Sequence, residues 1–140
     1  MASTFQTRAK LGFIKGEHLA SHTYKIALFT TAFAASASVN GYTATNEASA
    51  TGYTAGGQTL SGYSASNAST KGILDWTTDP SWTITGTLAF QYAMIYNDSD
   101  TVVPDGAVCI LDFGSQSVTN ATVTIQFPTP DASNALIRIA

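Results

Sequence analysis

Charged side chains are scarce in this sequence. Only 11% of its 140 residues are charged, against about 25% in an average globular domain. Ser, Thr, Asn, Ala and Gly take much of their place. A surface with few ions loses little hydration energy when it packs against a partner, although it keeps a free monomer in solution less well. We therefore expect a protein that works inside an assembly, with a soluble monomer rich in small residues as the alternative.

Basic residues form no strong cluster, and the formal net charge is −3. The six of them are Arg8, Lys10, Lys15, Lys25, Lys71 and Arg138. Proteins that bind nucleic acid collect such residues to neutralise phosphates, so we expect no nucleic-acid partner. The weak N-terminal group of Arg8, Lys10 and Lys15 is expected to solvate an arm or to contact an acidic neighbouring subunit.

Cysteine is also scarce, and long apolar runs are absent. Cys109 is the single cysteine, so no internal disulfide can form, and its apolar neighbours predict a buried, unreactive thiol. No stretch approaches 18 apolar residues, which excludes a transmembrane helix, and we expect no membrane partner. The hydrophobic fraction of 44% suffices for one compact core that needs no metal or disulfide.

What the sequence does contain is a series of short runs with the period-2 alternation of β-strands. The strongest run is 87–97, which has bulky residues on one face and mainly small ones on the other, as in a central strand covered on both sides. The predicted bulky face consists of Leu88, Phe90, Tyr92, Met94 and Tyr96. Other strands are predicted at 23–30, 58–65, 73–76, 81–85, 107–113, 118–127 and 135–140. The pattern predicts an all-β fold, an antiparallel β-sandwich or jelly-roll.

Two segments stand apart from this pattern. Residues 1–22 are expected to form an extended N-terminal arm, with a short strand at 11–16 and one helical turn at 17–22 as further options. The domain proper is then 23–140, with a long surface excursion at about 40–69 that is rich in Gly, Ser, Thr and Tyr. Its residues Tyr42, Tyr53 and Tyr63 either offer rigid contact area to a partner or fold back onto the rim of the core.

No arrangement of residues predicts catalysis, a cofactor or a metal centre. His18 and His22 have the i,i+4 spacing of zinc ligands, but the catalytic Glu of the zincin motif and further ligands are missing. We expect both histidines to face solvent. The oxygens of residues 97–100 do not have the spacing of a known calcium loop, and no nucleophile–base pair is visible. We therefore expect a protein that is not an enzyme.

Several motifs, in order, resemble those of short virion proteins of tailed bacteriophages. They are Ala9–Phe13, Tyr24–Thr30, the Asn-Glu…Gly-Tyr-x-x-Gly-Gly-x-x-Leu segment 46–60, Trp76, Trp82, the strand Ala93–Tyr96 and the turn Leu111–Gly114. The segment 46–60 has one residue more between Glu47 and Gly52 than the family pattern leads us to expect. The resemblance covers 10–127 and implies a structural component of the phage particle, in the capsid or in the tail, with no catalytic residue carried over.

From these observations we expect a capsid decoration, or cement, protein on the virion surface. Its partners would be the major capsid protein or other virion subunits, and a homotrimer is favoured. Candidate contact residues are Arg8, Lys10, Phe13, Tyr42, Tyr53 and Tyr63. The alternative is a tail or head-fibre component that binds carbohydrate through Tyr42, Tyr53, Tyr63, Trp76 and Trp82.

Overall fold

The computed structural model describes residues 3–139, and strands dominate it. They pair antiparallel throughout, which confirms the all-β prediction. Along the chain the elements are β1 (Thr4–Phe5), α1 (Thr7–Lys15), β2 (Tyr24–Phe29), β3 (Gln58–Thr59), β4 (Tyr63–Ala68), β5 (Lys71–Trp76), β6 (Ser81–Thr83), β7 (Thr87–Asn97), β8 (Gly106–Thr119), β9 (Thr122–Thr124) and β10 (Ile137–Ile139).

The strands form three sheets in the described part of the chain. The largest has the order β1-β8-β7-β2-β3, the second β10-β5-β4, and the third pairs β6 with β9. The larger core cluster takes side chains from all three sheets, including Ile26, Leu74 and Trp82. A smaller cluster around Phe29 and Met94 lies on the other face of β2 and β7. Strand β7 is therefore covered on both faces, as predicted.

A bulge changes which residues of β7 share a face. The pairing between β7 and β8 shifts register between Phe90 and Tyr92, so the alternation of side chains is interrupted there. Phe90 packs in the larger cluster, whereas Tyr92 and Met94 pack in the smaller one. The sequence pattern had placed all three on one face.

The extended arm predicted for residues 1–22 is wrong at Thr7–Lys15, because these nine residues form a helix. Ala9 and Gly12, three positions apart, form its buried face. Gly16 ends the helix in the left-handed conformation with φ 73°, and backbone N–H groups return to the carbonyls of Gly12 and Phe13, a common helix end. The predicted strand at 11–16 and the helical turn at 17–22 are absent as well.

The C-terminal half also departs from the predicted boundaries. Strand β8 continues through 114–117, the gap between the predicted strands 107–113 and 118–127, because its second half pairs with the start of β7, Thr87 opposite Thr119. The chain turns instead at Asn120, which has φ 48°. The strand predicted at 118–127 is therefore reduced to β9, and the one predicted at 135–140 to β10, with residue 140 outside the described range.

The segment 40–69 is held against the body of the protein. Ala48 and Leu60 are buried in the core, and β3 adds an edge strand to the largest sheet. Gly57 passes so close to β2 that a Cβ there would lie 1.8 Å from the carbonyl oxygen of Ile26. Only glycine permits this approach at φ 78°.

A candidate docking surface

The N-terminal helix is anchored firmly to the sheets. Gln6, which is fully buried, donates from Nε2 to the carbonyls of Ser36 and Val39 at 2.8 and 2.9 Å. The ring of Phe13 lies 5.9 Å from that of Phe5 on β1. These contacts fix which face of α1 points away from the core.

That outward face of the helix meets the last strand and forms the surface that we call the α1–β10 face. It surrounds a shallow hollow of about 300 Å³, lined by Phe5, Lys10, Ile14, Arg138 and Ile139. Ile14 is 84% exposed and Ile139 is 54% exposed. Large aliphatic side chains this exposed and this close together are typical of a contact surface.

A second hollow continues this apolar surface beyond Ile139. It has a volume of about 190 Å³, and its lining includes Phe13, Tyr63, Ile73 and Ile137 as well as Ile139. Two sequence-predicted contact residues, Phe13 and Tyr63, therefore meet in one hollow although they lie 50 positions apart in the chain. Lys10, a third, lines the neighbouring one.

The charges beside the two hollows are positive. Lys10 places its Nζ 5.6 Å from the centre of the Phe5 ring, and Arg138 lies across the hollow on β10. Lys71 joins Arg138 along an adjacent depression. Within residues 3–139, no Asp or Glu lines any of the three depressions. The basic residues that are scattered in the sequence thus supply a cationic border to an apolar surface.

Arg8, in contrast, is engaged within the chain. Its guanidinium binds Glu17 Oε2 at 2.5 Å, and its side chain is only 22% exposed. This ion pair holds the segment after α1 against the helix. Arg8 is therefore less available to a partner than Lys10.

The tyrosines Tyr42 and Tyr53 fold back onto the body, the second of the two possibilities that the sequence left open. Both hydroxyls donate to the carboxylate of Glu47, at 2.6 and 2.7 Å, and the N–H of Gly56 donates to the same group at 2.7 Å. Burial, followed by the hydrogen bond to Glu47, raises the pKa of both phenols. Glu47 is thus the organising residue of this segment, which the sequence reasoning did not identify.

The two tryptophans considered as carbohydrate platforms are core residues. Trp76 is 2% exposed and Trp82 is 3% exposed. The Trp76 ring packs 5.3 Å from Tyr24 and 5.8 Å from Tyr63. A sugar stacks on an exposed ring face, and neither indole offers one.

The prediction that both histidines face solvent is wrong for His18, which is buried, whereas His22 is half-buried. His18 is only 7% exposed, and the Nδ1 atoms of His18 and His22 lie 3.1 and 2.9 Å from the side-chain nitrogen of Asn97. Asn97 is fully buried. Because its Nδ2 can only donate, Nδ1 is the acceptor in both contacts. We call this cluster the histidine lock.

The acidic loop after β7 uses its oxygens to hold its own backbone. Asp100 Oδ1 accepts from the N–H groups of Val102 and Val103, and Asn97 Oδ1 accepts from that of Ser99. Among residues 3–139, no group of three or more His, Cys, Asp or Glu side chains is placed to hold a metal ion. In the same range, no helix is long and apolar enough to cross a bilayer.

Fold and surface together define a β-rich chain of antiparallel sheets with an apolar, positively bordered face at its N- and C-terminal elements. The exposed residues of the α1–β10 face are aliphatic side chains and cations, which suits this face to binding. Comparison with known proteins gives no match to a family model, to a curated protein or to a solved structure.

Proposed function

We propose that this chain is a structural subunit of a bacteriophage particle, a capsid decoration protein whose body is a β-sandwich or jelly-roll. It docks on the capsid shell through the α1–β10 face and performs no catalysis. The observation that carries the proposal is the exposure of Ile14 and Ile139 beside Lys10 and Arg138 on an otherwise sparsely charged protein. The motif resemblance to tailed-phage virion proteins supports the same role.

The occupant of the α1–β10 face is, on this proposal, a shell subunit that presents apolar side chains bordered by carboxylates. Lys10, Lys71 and Arg138 border the depressions, and no Asp or Glu among the described residues lines them, so charge complementarity selects a partner of the opposite sign. Burying a side chain such as Ile14 contributes about 1.5–3 kcal/mol. A trimer would present three such faces and gain avidity from simultaneous contacts.

Copy number in intact particles tests the role. A decoration protein is present in many copies, in a fixed ratio to the major capsid protein, and quantitative mass spectrometry of purified virions measures that ratio. A few copies per particle would place the chain in the tail or a head fibre instead, which is the alternative assignment.

A matched pair of variants tests the face. Ile14→Ala removes most of an exposed side chain, and Val102→Ala removes one of comparable exposure, 59%, from the loop after β7. We expect Ile14→Ala to weaken binding to undecorated shells about tenfold and Val102→Ala to bind as the unaltered protein does. Equal binding by both variants would exclude the α1–β10 face as the contact.

A further inference from the structure

A buried carboxylate on the second sheet has one oxygen without a partner. Asp75 on β5 is 1% exposed, and its Oδ1 accepts from the N–H of Trp76 at 2.8 Å. Its Oδ2 has no hydrogen-bond partner among the described residues. A buried polar atom left in this state is unfavourable by about 1–3 kcal/mol, and more for a charged group. A ligand that brought a donor to this oxygen would remove that unfavourable term.

The same carboxylate lines an open cavity of about 330 Å³. Asp79 lies in the same wall, and it also fixes the facing segment by accepting the N–H of Phe127 at 2.8 Å. Gln126 adds an amide to the lining, and Phe127, Pro128 and Pro130 supply apolar walls. The cavity thus combines two carboxylates with a ring and aliphatic surface.

No cation within residues 3–139 neutralises the pair. The lining contains no Lys, Arg or His, and the ion pairs of the described residues join Arg8 to Glu17 and Lys25 to Asp98. Burial raises the pKa of Asp75, the backbone N–H groups of Trp76 and Leu136 oppose the rise, and the charge of Asp79 adds a smaller increase. The cavity is electronegative, and a positive group entering it would satisfy the unpartnered oxygen and relieve the repulsion.

We propose that this cavity binds a single guanidinium or ammonium group, presented as an arginine or lysine side chain by a partner protein. A guanidinium donates to carboxylates in a fixed fork. A calcium ion needs six to eight oxygen ligands, which two carboxylates and an amide between apolar walls do not provide. The cavity is distinct from the α1–β10 face and does not depend on the decoration role.

The test uses small probes and amide resonances of the whole chain. N-acetyl-argininamide is titrated into the ¹⁵N-labelled protein, and N-acetyl-citrullinamide, its uncharged analogue, is the control ligand. We expect saturable shifts at the amides of Thr77, Gln126 and Phe127 with the arginine compound alone. Asp75→Asn, which removes the charge at nearly constant shape, should weaken binding at least tenfold, a loss of about 1.4 kcal/mol. Asp105→Asn, an acid in the loop before β8, should leave binding unchanged.

Several outcomes would overturn the proposal. Equal shifts with the citrulline compound would show that charge is not recognised, and unsaturable shifts would show that no site exists. Equal affinity of Asp75→Asn and the unaltered chain would remove the carboxylate from the site. Shifts of the same amides with calcium chloride alone would replace an organic cation with a metal. If Asp75→Asn does not fold, Asp79→Asn decides the question, since it removes the second charge of the wall.

Discussion

Lowering the pH from 7.5 to 5 should destabilise the protein by opening the histidine lock. Both rings accept a hydrogen bond at Nδ1 from Asn97, and a protonated imidazole cannot accept one. Such a bond contributes about 0.5–1.5 kcal/mol, so the loss of the bond to His18 lowers the free energy of unfolding by about that amount. One N–H of the fully buried Asn97 would then lack its acceptor.

The pKa of His18 gives the same sign. Burial lowers this pKa from 6.5, which outweighs the raising effects of Asp100 and Glu17, while Arg8 and His22 lower it further. The unfolded chain therefore binds more protons than the folded chain between the two pKa values. The contribution of His18 to stability is fully present above pH 6.5 and is lost as the pH falls from 6.5 towards the lowered pKa.

The assay is urea denaturation at intervals between pH 8 and pH 5, alongside ¹⁵N shifts of the imidazole nitrogens. The matched variant is His18→Gln, because glutamine keeps an acceptor but does not titrate. We expect lower stability at every pH and a flatter dependence on pH for this variant. A proton on Nδ1 of either ring at pH 7.5, or stability of the unaltered protein that does not fall between pH 7 and pH 5, would refute the hydrogen-bonding scheme.

Two further predictions concern the segment 40–69. Gly57→Ala should lower the free energy of unfolding by more than about 3 kcal/mol, because its Cβ would overlap the Ile26 carbonyl. Gly16→Ala has a similar φ of 73° but no atom within 4 Å of the added Cβ. It should lower the free energy of unfolding by only about 1 kcal/mol, through backbone strain. Equal losses would show that the close approach does not exist. Glu47→Gln replaces the charged acceptor of three hydrogen bonds and should lower the unfolding free energy by about 1–3 kcal/mol; an unchanged value would remove Glu47 from its organising role.

Strand positions were predictable where burial alone sets the pattern. Strand β7 occupies 87–97, the range that its alternation predicts. Strand β2 lies within the predicted range 23–30, with Tyr24, Ile26 and Leu28 in the larger cluster and Phe29 in the smaller one. The bulge after Phe90 was not predictable, because an extra residue in one strand is decided by pairing with its neighbour. A period-2 pattern continues through such a bulge without any visible change.

The sequence predicted neither helix α1 nor the α1–β10 face, and the reasons differ. The predicted strand at 11–16 ends at Gly16, although a glycine directly after Lys15 also fits a helix end. The spacing of Ala9, Gly12 and Phe13 is likewise that of one helix face. The α1–β10 face joins residues from the two ends of the chain. Because Lys10 and Arg138 meet only through the tertiary fold, no local pattern could show that they share a border.

The most direct test of the docking account is thiol labelling of particles that carry Ile14→Cys or Val102→Cys. Cys109 is buried, and burial raises its thiol pKa to about 12, so the introduced thiol is the reactive one. We predict that a maleimide labels both variants as free proteins, and that in the particle Cys at 14 is protected while Cys at 102 is still labelled. Equal labelling at both positions in the particle would contradict the assignment of the α1–β10 face as the surface that meets the shell.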